Sequence, residues 1–185
     1  GWLDGKARGS MAEPYNRAMR PGSICVLGGS GFLGTHLCAA LARDGWRITV
    51  PTRDPARARH LGPIPSLQLV AADIHDPGQL AALCAGQHAV VNLVGILNER
   101  GRAGAGFDRA HAVLPRNLVE ACRRGRVDRL LHVSALNADA DDGPSLYLRS
   151  KGRGERAIRE ESGPDLRWTI FQPSVIFGPG DDFVN

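Results

Sequence analysis

The chain has 185 residues, the length of one ordinary domain, and its 43% hydrophobic and 23% charged residues are normal for a soluble globular protein. Lys and Arg outnumber Asp and Glu by 23 to 19. This net charge of +4 is mostly arginine and suits attraction of a phosphorylated cofactor. It lacks the like-charge blocks or aromatic-interleaved basic runs of a nucleic-acid binder.

No apolar run approaches the roughly 18 residues of a transmembrane helix, and the start lacks the apolar core of a signal peptide. Residues 1–22 are polar and aperiodic; they read as a disordered or appended segment, the first ten preceding Met11. Cys25, Cys38, Cys84 and Cys122 form no CxxC pair. They read as buried thiols of a reducing cytoplasm, with neither a disulfide frame nor a metal site.

From residue 23 the chain alternates strand and helix. Ile24 to Leu27 is a short apolar run bounded by glycines, as in a buried parallel strand. Leu33, Leu37, Ala40 and Leu41 are spaced as one face of a helix from Phe32 to Arg43, which Gly45 ends. Arg47 to Pro51 is a second strand, and Asp54-Pro55 signals a helix start. Leu67 to Ala71 is a third strand. Asp76-Pro77 repeats the capping signal before a helix through Leu80, Leu83 and Cys84. Ala89 to Val94 is a fourth strand, apolar except for Asn92. A glycine- and arginine-rich loop at 98–106 leads to a long helix over 107–124. Arg129 to Val133, a helix over Leu146 to Glu161 and a sixth strand from Trp168 to Phe171 complete the series. This alternation predicts an α/β fold: a doubly wound parallel sheet with helices on both faces.

Gly28, Ser30, Gly31, Phe32, Leu33 and Gly34 lie where the first strand turns into the first helix. Gly28 permits the tight turn, Gly31 lets the backbone approach a pyrophosphate, and Gly34 allows close helix–sheet packing. The helix N-terminus then presents its N–H groups and positive dipole end to the phosphates. At the end of the second strand an acidic residue would favour NAD, and an arginine NADP. Arg53 stands nineteen residues after Gly34, where the discriminating residue is expected. Asp54 competes for the role, but reads better as the cap before Pro55. Arg53, with Thr52 as a further phosphate donor, therefore points to NADP rather than NAD.

Tyr147 and Lys151 are four residues apart on one helix face. A lysine there is expected to lower the tyrosine pKa and make it a proton donor or acceptor near neutral pH. Ser134 ends the fifth strand at the edge where α/β sheets bind ligands. Its hydroxyl would hold a substrate carbonyl while Tyr147 protonates it.

These motifs resemble the short-chain dehydrogenase/reductase superfamily in its extended or atypical branch. The resemblance runs from Ser23 to Asn185. It rests on the three glycines, Ala72-Asp73-Ile74, Asn92-Leu93-Val94-Gly95, His132-Val133-Ser134-Ala135, Tyr147-Leu148-Arg149-Ser150-Lys151 and Gln172-Pro173 through Gly180. It implies that Asp73 and Ile74 lie against the adenine and that Val94 and Gly95 line the cofactor cleft. Lys151, with Tyr147 beside it, would hold the nicotinamide ribose, and Pro173, Ser174 and Val175 would lie beside the nicotinamide. Within the superfamily the wording is similar to the nucleotide-binding accessory subunit of mitochondrial complex I and its bacterial relatives. That similarity implies tightly held NADPH, a protein partner in a complex I-like assembly, and a location in the cytoplasm or at the inner face of a membrane. Three readings follow: a Ser-Tyr-Lys oxidoreductase acting on a small molecule, a non-catalytic NADPH-binding module, and a nucleotide-sugar epimerase or dehydratase. His111 stands where many extended members carry a relay asparagine, either to pass a proton or to pack against the neighbouring loop. The small C-terminal substrate lobe of those members is not expected in this chain.

Overall fold

The computed structural model describes residues 21–97 and 104–178. Most of the expected N-terminal segment, most of the 98–106 loop and the residues after Gly178 lie outside the described residues. Six parallel strands form one sheet: β1 (Ser23–Leu27), β2 (Arg47–Thr52), β3 (Leu67–Ala71), β4 (Ala89–Asn92), β5 (Arg129–Val133) and β6 (Arg167–Phe171). Their spatial order is β3-β2-β1-β4-β5-β6. The order reverses between β1 and β4, so the two following loops diverge and open a crevice at the carboxyl ends of the strands.

Successive side chains of each strand point to opposite faces. Ile24, Val26, Ile48 and Val50 pack on the side of helix α1 (Phe32–Arg43), which contributes Cys38 and Leu37. Cys25, Leu27, Val90 and Leu130 face three helices: α2 (Pro77–Cys84), α4 (Leu114–Arg124) and α5 (Leu146–Glu161). These contribute Leu80 and Leu83, Leu114 and Leu118, and Ile158. All four cysteines are free and buried. No helix among the described residues is long and apolar enough to cross a membrane.

Local signals decided some elements and failed at others. The Asp76 side chain accepts the Gln79 amide at 2.8 Å, so the expected cap of α2 forms. The same signal at Asp54-Pro55 gives no α-helix. Asp54 Oδ1 accepts the amides of Ala56 and Arg57, and the segment closes in turns and a single 3₁₀ turn, Arg59–Leu61. Strand β4 stops at Asn92, before the expected Val94, because Asn92 Oδ1 takes the Val94 amide at 3.1 Å.

The expected helix over 107–124 begins earlier, as α3 (Ala105–Asp108), and passes through a π-helical turn, Arg109–Val113, before α4. Pro115 explains the widened turn. It has no N–H for the carbonyl of His111, one turn before it. Helix α5 crosses at that carbonyl, and a methyl group on Gly154 would lie 2.0 Å from it.

Candidate functional site

The turn after β1 has the geometry its glycines predicted. Gly28 adopts φ +78°, a left-handed conformation that favours glycine. Its Cα faces the other side of the switch point, since a methyl there would lie 3.1 Å from the Leu93 carbonyl carbon. The N-cap of α1 is Gly31, which has no side chain to turn back onto the first amides of the helix. Those amides therefore remain donors for a bound anion. Gly31 is exposed, and a methyl on it would meet nothing nearer than the Gly28 carbonyl oxygen at 3.4 Å. This open, donor-rich turn fits a dinucleotide pyrophosphate.

At the end of β2 the side chains divide their work. Thr52 Oγ1 donates to the Asp54 carbonyl and accepts the Asp54 amide, both at 3.2 Å, so it serves the local turn. Asp54 caps that turn and pairs with Arg57 at 3.8 Å. Arg53 is exposed, and its charge helps to hold the Asp73 carboxyl below its ordinary value. The first cause of that lowering is the hydrogen bond Asp73 accepts from the His75 amide. Arg109 approaches Asp73 to 3.9 Å, so two arginines flank the carboxylate expected at the adenine. Arg109 carried no sequence signal of its own. The π turn places it there.

Ser134, Tyr147 and Lys151 line one cavity of about 330 Å³. Its other walls are Phe32 and Leu33 from the start of α1, Gly95 and Leu97 after β4, and Pro173, Ser174, Val175 and Ile176 after β6. The last segment is anchored where the Leu136 amide donates to the Pro173 carbonyl at 2.9 Å. Val94 and Ile74, both half-buried, pack against the hydrophobic core under the crevice.

The expected electrostatic pairing of Tyr147 with Lys151 is not what this geometry gives. Lys151 Nζ reaches across to the Val133 carbonyl at 2.7 Å. Burial pushes the Tyr147 phenol up from its ordinary value, while burial of Lys151, only partly offset by Glu155, pushes its ammonium down to about 8. The phenol is thus protonated at neutral pH, and the lysine lies close to its own titration. The Ser134 hydroxyl is buried and has no protein partner among the described residues.

Both ring nitrogens of His111 are hydrogen-bonded. Its Nε2 accepts the Ile96 amide at 3.0 Å, which places the ring proton on Nδ1. Nδ1 donates to Ser150 Oγ at 2.9 Å, and Ser150 donates to the Tyr147 carbonyl at 2.7 Å. The ring also meets Tyr147 edge-on at 5.3 Å and stacks on Phe107 at 5.7 Å. His111 therefore latches the loop after β4 to the first turn of α5. Burial first, then the charge of Lys151, pushes its pKa from 6.5 to about 4.

A lowered folded-state pKa means that the unfolded chain binds a proton the folded one refuses. The latch then contributes fully above pH 6.5, and its contribution is lost as pH falls through about 4. We expect Tm to drop across that window, and His111→Leu to flatten the drop. That variant also orphans the part-buried Ile96 amide, at about 1–3 kcal/mol, while Ser150 keeps its bond to the Tyr147 carbonyl. Thermal unfolding between pH 4 and 8 checks both statements.

A family model described as NAD(P)H-binding matches residues 28–179. The chain belongs to this NAD(P)H-binding family. It is 36% identical over 165 residues to a ceramide reductase of Caulobacter vibrioides, covering 86% of this chain and 48% of that one. It is 31% identical to mouse (Mus musculus) mitochondrial NADH dehydrogenase [ubiquinone] 1 alpha subcomplex subunit 9, covering 86% of this chain and 42% of that one. The chain thus spans about half the length of these curated relatives. Among solved structures, UDP-glucuronic acid 4-epimerase from Bacillus cereus, in complex with NAD, superposes with TM-score 0.72 at 21% identity. That match covers 85% of this chain and 58% of that one, and shows a shared fold. The short-chain dehydrogenase/reductase resemblance, including the complex I subunit, agrees with these findings.

Proposed function

We propose that this domain is an NADP(H)-dependent oxidoreductase unit that reduces a carbonyl with Ser134, Tyr147 and Lys151. The observation that carries the reading is the single cavity these three residues share with the start of α1 and the Pro173–Ile176 segment. The bound nicotinamide would supply hydride. Ser134 Oγ–H, which has no protein partner among the described residues, would donate to the substrate oxygen. Tyr147, kept protonated by burial, would give its proton to that oxygen as it becomes an alcohol. Lys151, anchored on Val133, would turn one of its remaining N–H groups toward the ribose. The amides at the start of α1 would hold the pyrophosphate. Gly95 would border the nicotinamide, and Asp73 the adenine. A relative named as a reductase supports the carbonyl chemistry.

The preference for NADP rests on Arg53, exposed at the end of β2, while Asp54 is committed to its turn. A 2′-phosphate gains a charge-assisted contact there that a 2′-hydroxyl does not. Fluorescence titration should show NADPH binding more tightly than NADH. Arg53→Ala should weaken NADPH about tenfold or more, the worth of one charge-assisted hydrogen bond of about 1.5–3 kcal/mol, and leave NADH nearly unchanged. Equal losses for both cofactors would remove the preference.

A second reading is supported by the mitochondrial NADH dehydrogenase relative: an NADPH-binding module of a larger, membrane-associated assembly, with no turnover of its own. NADPH oxidation with a panel of ketones separates the two. Tight NADPH binding without oxidation of any ketone selects the module.

A further inference from the structure

Beside Lys151 lies a buried polar layer with more donors than acceptors. Asn92 and His132 are register partners on β4 and β5, exposed by only 0% and 1%. They project to the same face as Val90 and Leu130, under α4 and α5. Asn92 Oδ1 accepts the Val94 amide, so its Nδ2 is a donor, 3.1 Å from His132 Nδ1. A ring nitrogen that accepts carries no proton, so the neutral imidazole holds its proton on Nε2. Burial first, then the charges of Lys151 and His111, pushes the ring down to about 3, so it stays neutral. No protein acceptor among the described residues reaches Nε2.

Lys151 is 2% exposed, and its Nζ bonds the carbonyl of Val133, the residue that follows His132. An ammonium has three donors, and Val133 supplies one acceptor. The charged and titratable groups around it are committed elsewhere. His111, from the π turn, points its proton at Ser150. Glu155, one turn further along α5, is held by Arg159 at 3.0 Å and Gln172 at 2.8 Å. Tyr147, on α5, and His132, on β5, complete the surroundings. Buried donors left unmade are rare and costly, and an internal water is the usual partner of such groups.

We propose that His132 Nε2–H and Lys151 Nζ–H together hold one internal water, which makes His132 a positioning residue for Lys151. The water accepts from both groups with its two lone pairs and partly solvates the ammonium. The site itself stands without the proposed reaction; its consequence for turnover rests on that reading.

The test uses the whole chain and needs neither cofactor nor substrate. Histidine nitrogen NMR of the wild-type protein should show His132 as the Nε2-protonated tautomer, with a cross-peak from Hε2 to a long-lived water. With ¹³Cε-labelled lysine, Lys151 should titrate near 8 in the wild type. The midpoint should move down in His132→Phe, where the water loses its holder, and return upward in His132→Gln, which restores an N–H donor. An Nδ1-protonated tautomer, no water contact at Hε2, or an unmoved midpoint in a folded His132→Phe protein would each overturn the proposal. If His132→Phe does not fold, the wild-type tautomer and water contact decide it.

Discussion

Tyr147→Phe should lower ketone turnover by about 10²–10⁴-fold, the usual worth of a positioned general acid, while NADPH titration changes little by comparison. The phenyl ring left by this substitution would keep the edge contact that Tyr147 makes with His111, and the carbonyl that Ser150 bonds is backbone, so the fold around the site survives the change. Only the phenolic hydroxyl, with its proton, is removed. Because burial raises the phenol above its ordinary value, the wild-type group holds that proton at neutral pH and would serve reduction better than oxidation there. Rates should therefore fall above the phenol's titration and stay level below it until another group intervenes. A variant that reduces ketones as fast as the wild type would remove Tyr147 from the chemistry. It would favour a reaction in which another group, such as Ser134, delivers the proton.

The sequence disclosed what depends on neighbours along the chain and concealed what depends on neighbours across it. The β1 turn was legible because strand, glycines and helix lie within a dozen residues and each glycine has a local reason. The cap at Asp76 was legible for the same reason. At Asp54 an identical dipeptide produced only turns, because the Asp54 side chain closes on the next amides and nothing beyond them continues a helix. The spacing of Tyr147 and Lys151 correctly placed them on one side of α5. It could not reveal that the lysine reaches the Val133 carbonyl eighteen residues earlier on another element. The Asn92–His132 pair joins residues forty positions apart. Its only sequence trace was Asn92 at the end of an apolar strand and His132 in a strand that also carries Arg129. Pro115 carried a usable signal for the π turn: a proline inside a helical pattern must free one carbonyl, here that of His111.

Gly34 and Gly31 should respond in opposite ways to the same added methyl, and the contrast separates packing from binding. At Gly34 the methyl would lie 2.5 Å from both the Gly28 carbonyl oxygen and the Gly29 Cα, and 2.6 Å from the Gly29 carbonyl carbon. All three are backbone atoms of the turn after β1, so no side chain can rotate away. Either α1 retreats from the sheet or the turn deforms, and overpacking of this kind costs about 1–3 kcal/mol. Gly34→Ala should therefore lower Tm and, because the strained segment is the proposed seat of the pyrophosphate, weaken NADPH about tenfold for each 1.4 kcal/mol that falls on the turn. At Gly31 the methyl meets only the Gly28 oxygen at 3.4 Å, an ordinary contact, so Gly31→Ala should unfold at the wild-type temperature. Its Cβ nevertheless projects from the exposed N-cap beside the first amides of α1, where a pyrophosphate would approach the backbone. NADPH affinity should fall while stability holds. If Gly31→Ala binds NADPH as well as the wild type, the pyrophosphate does not sit over this turn. If Gly34→Ala keeps both stability and affinity, the close helix–sheet approach is not what sets the turn's shape.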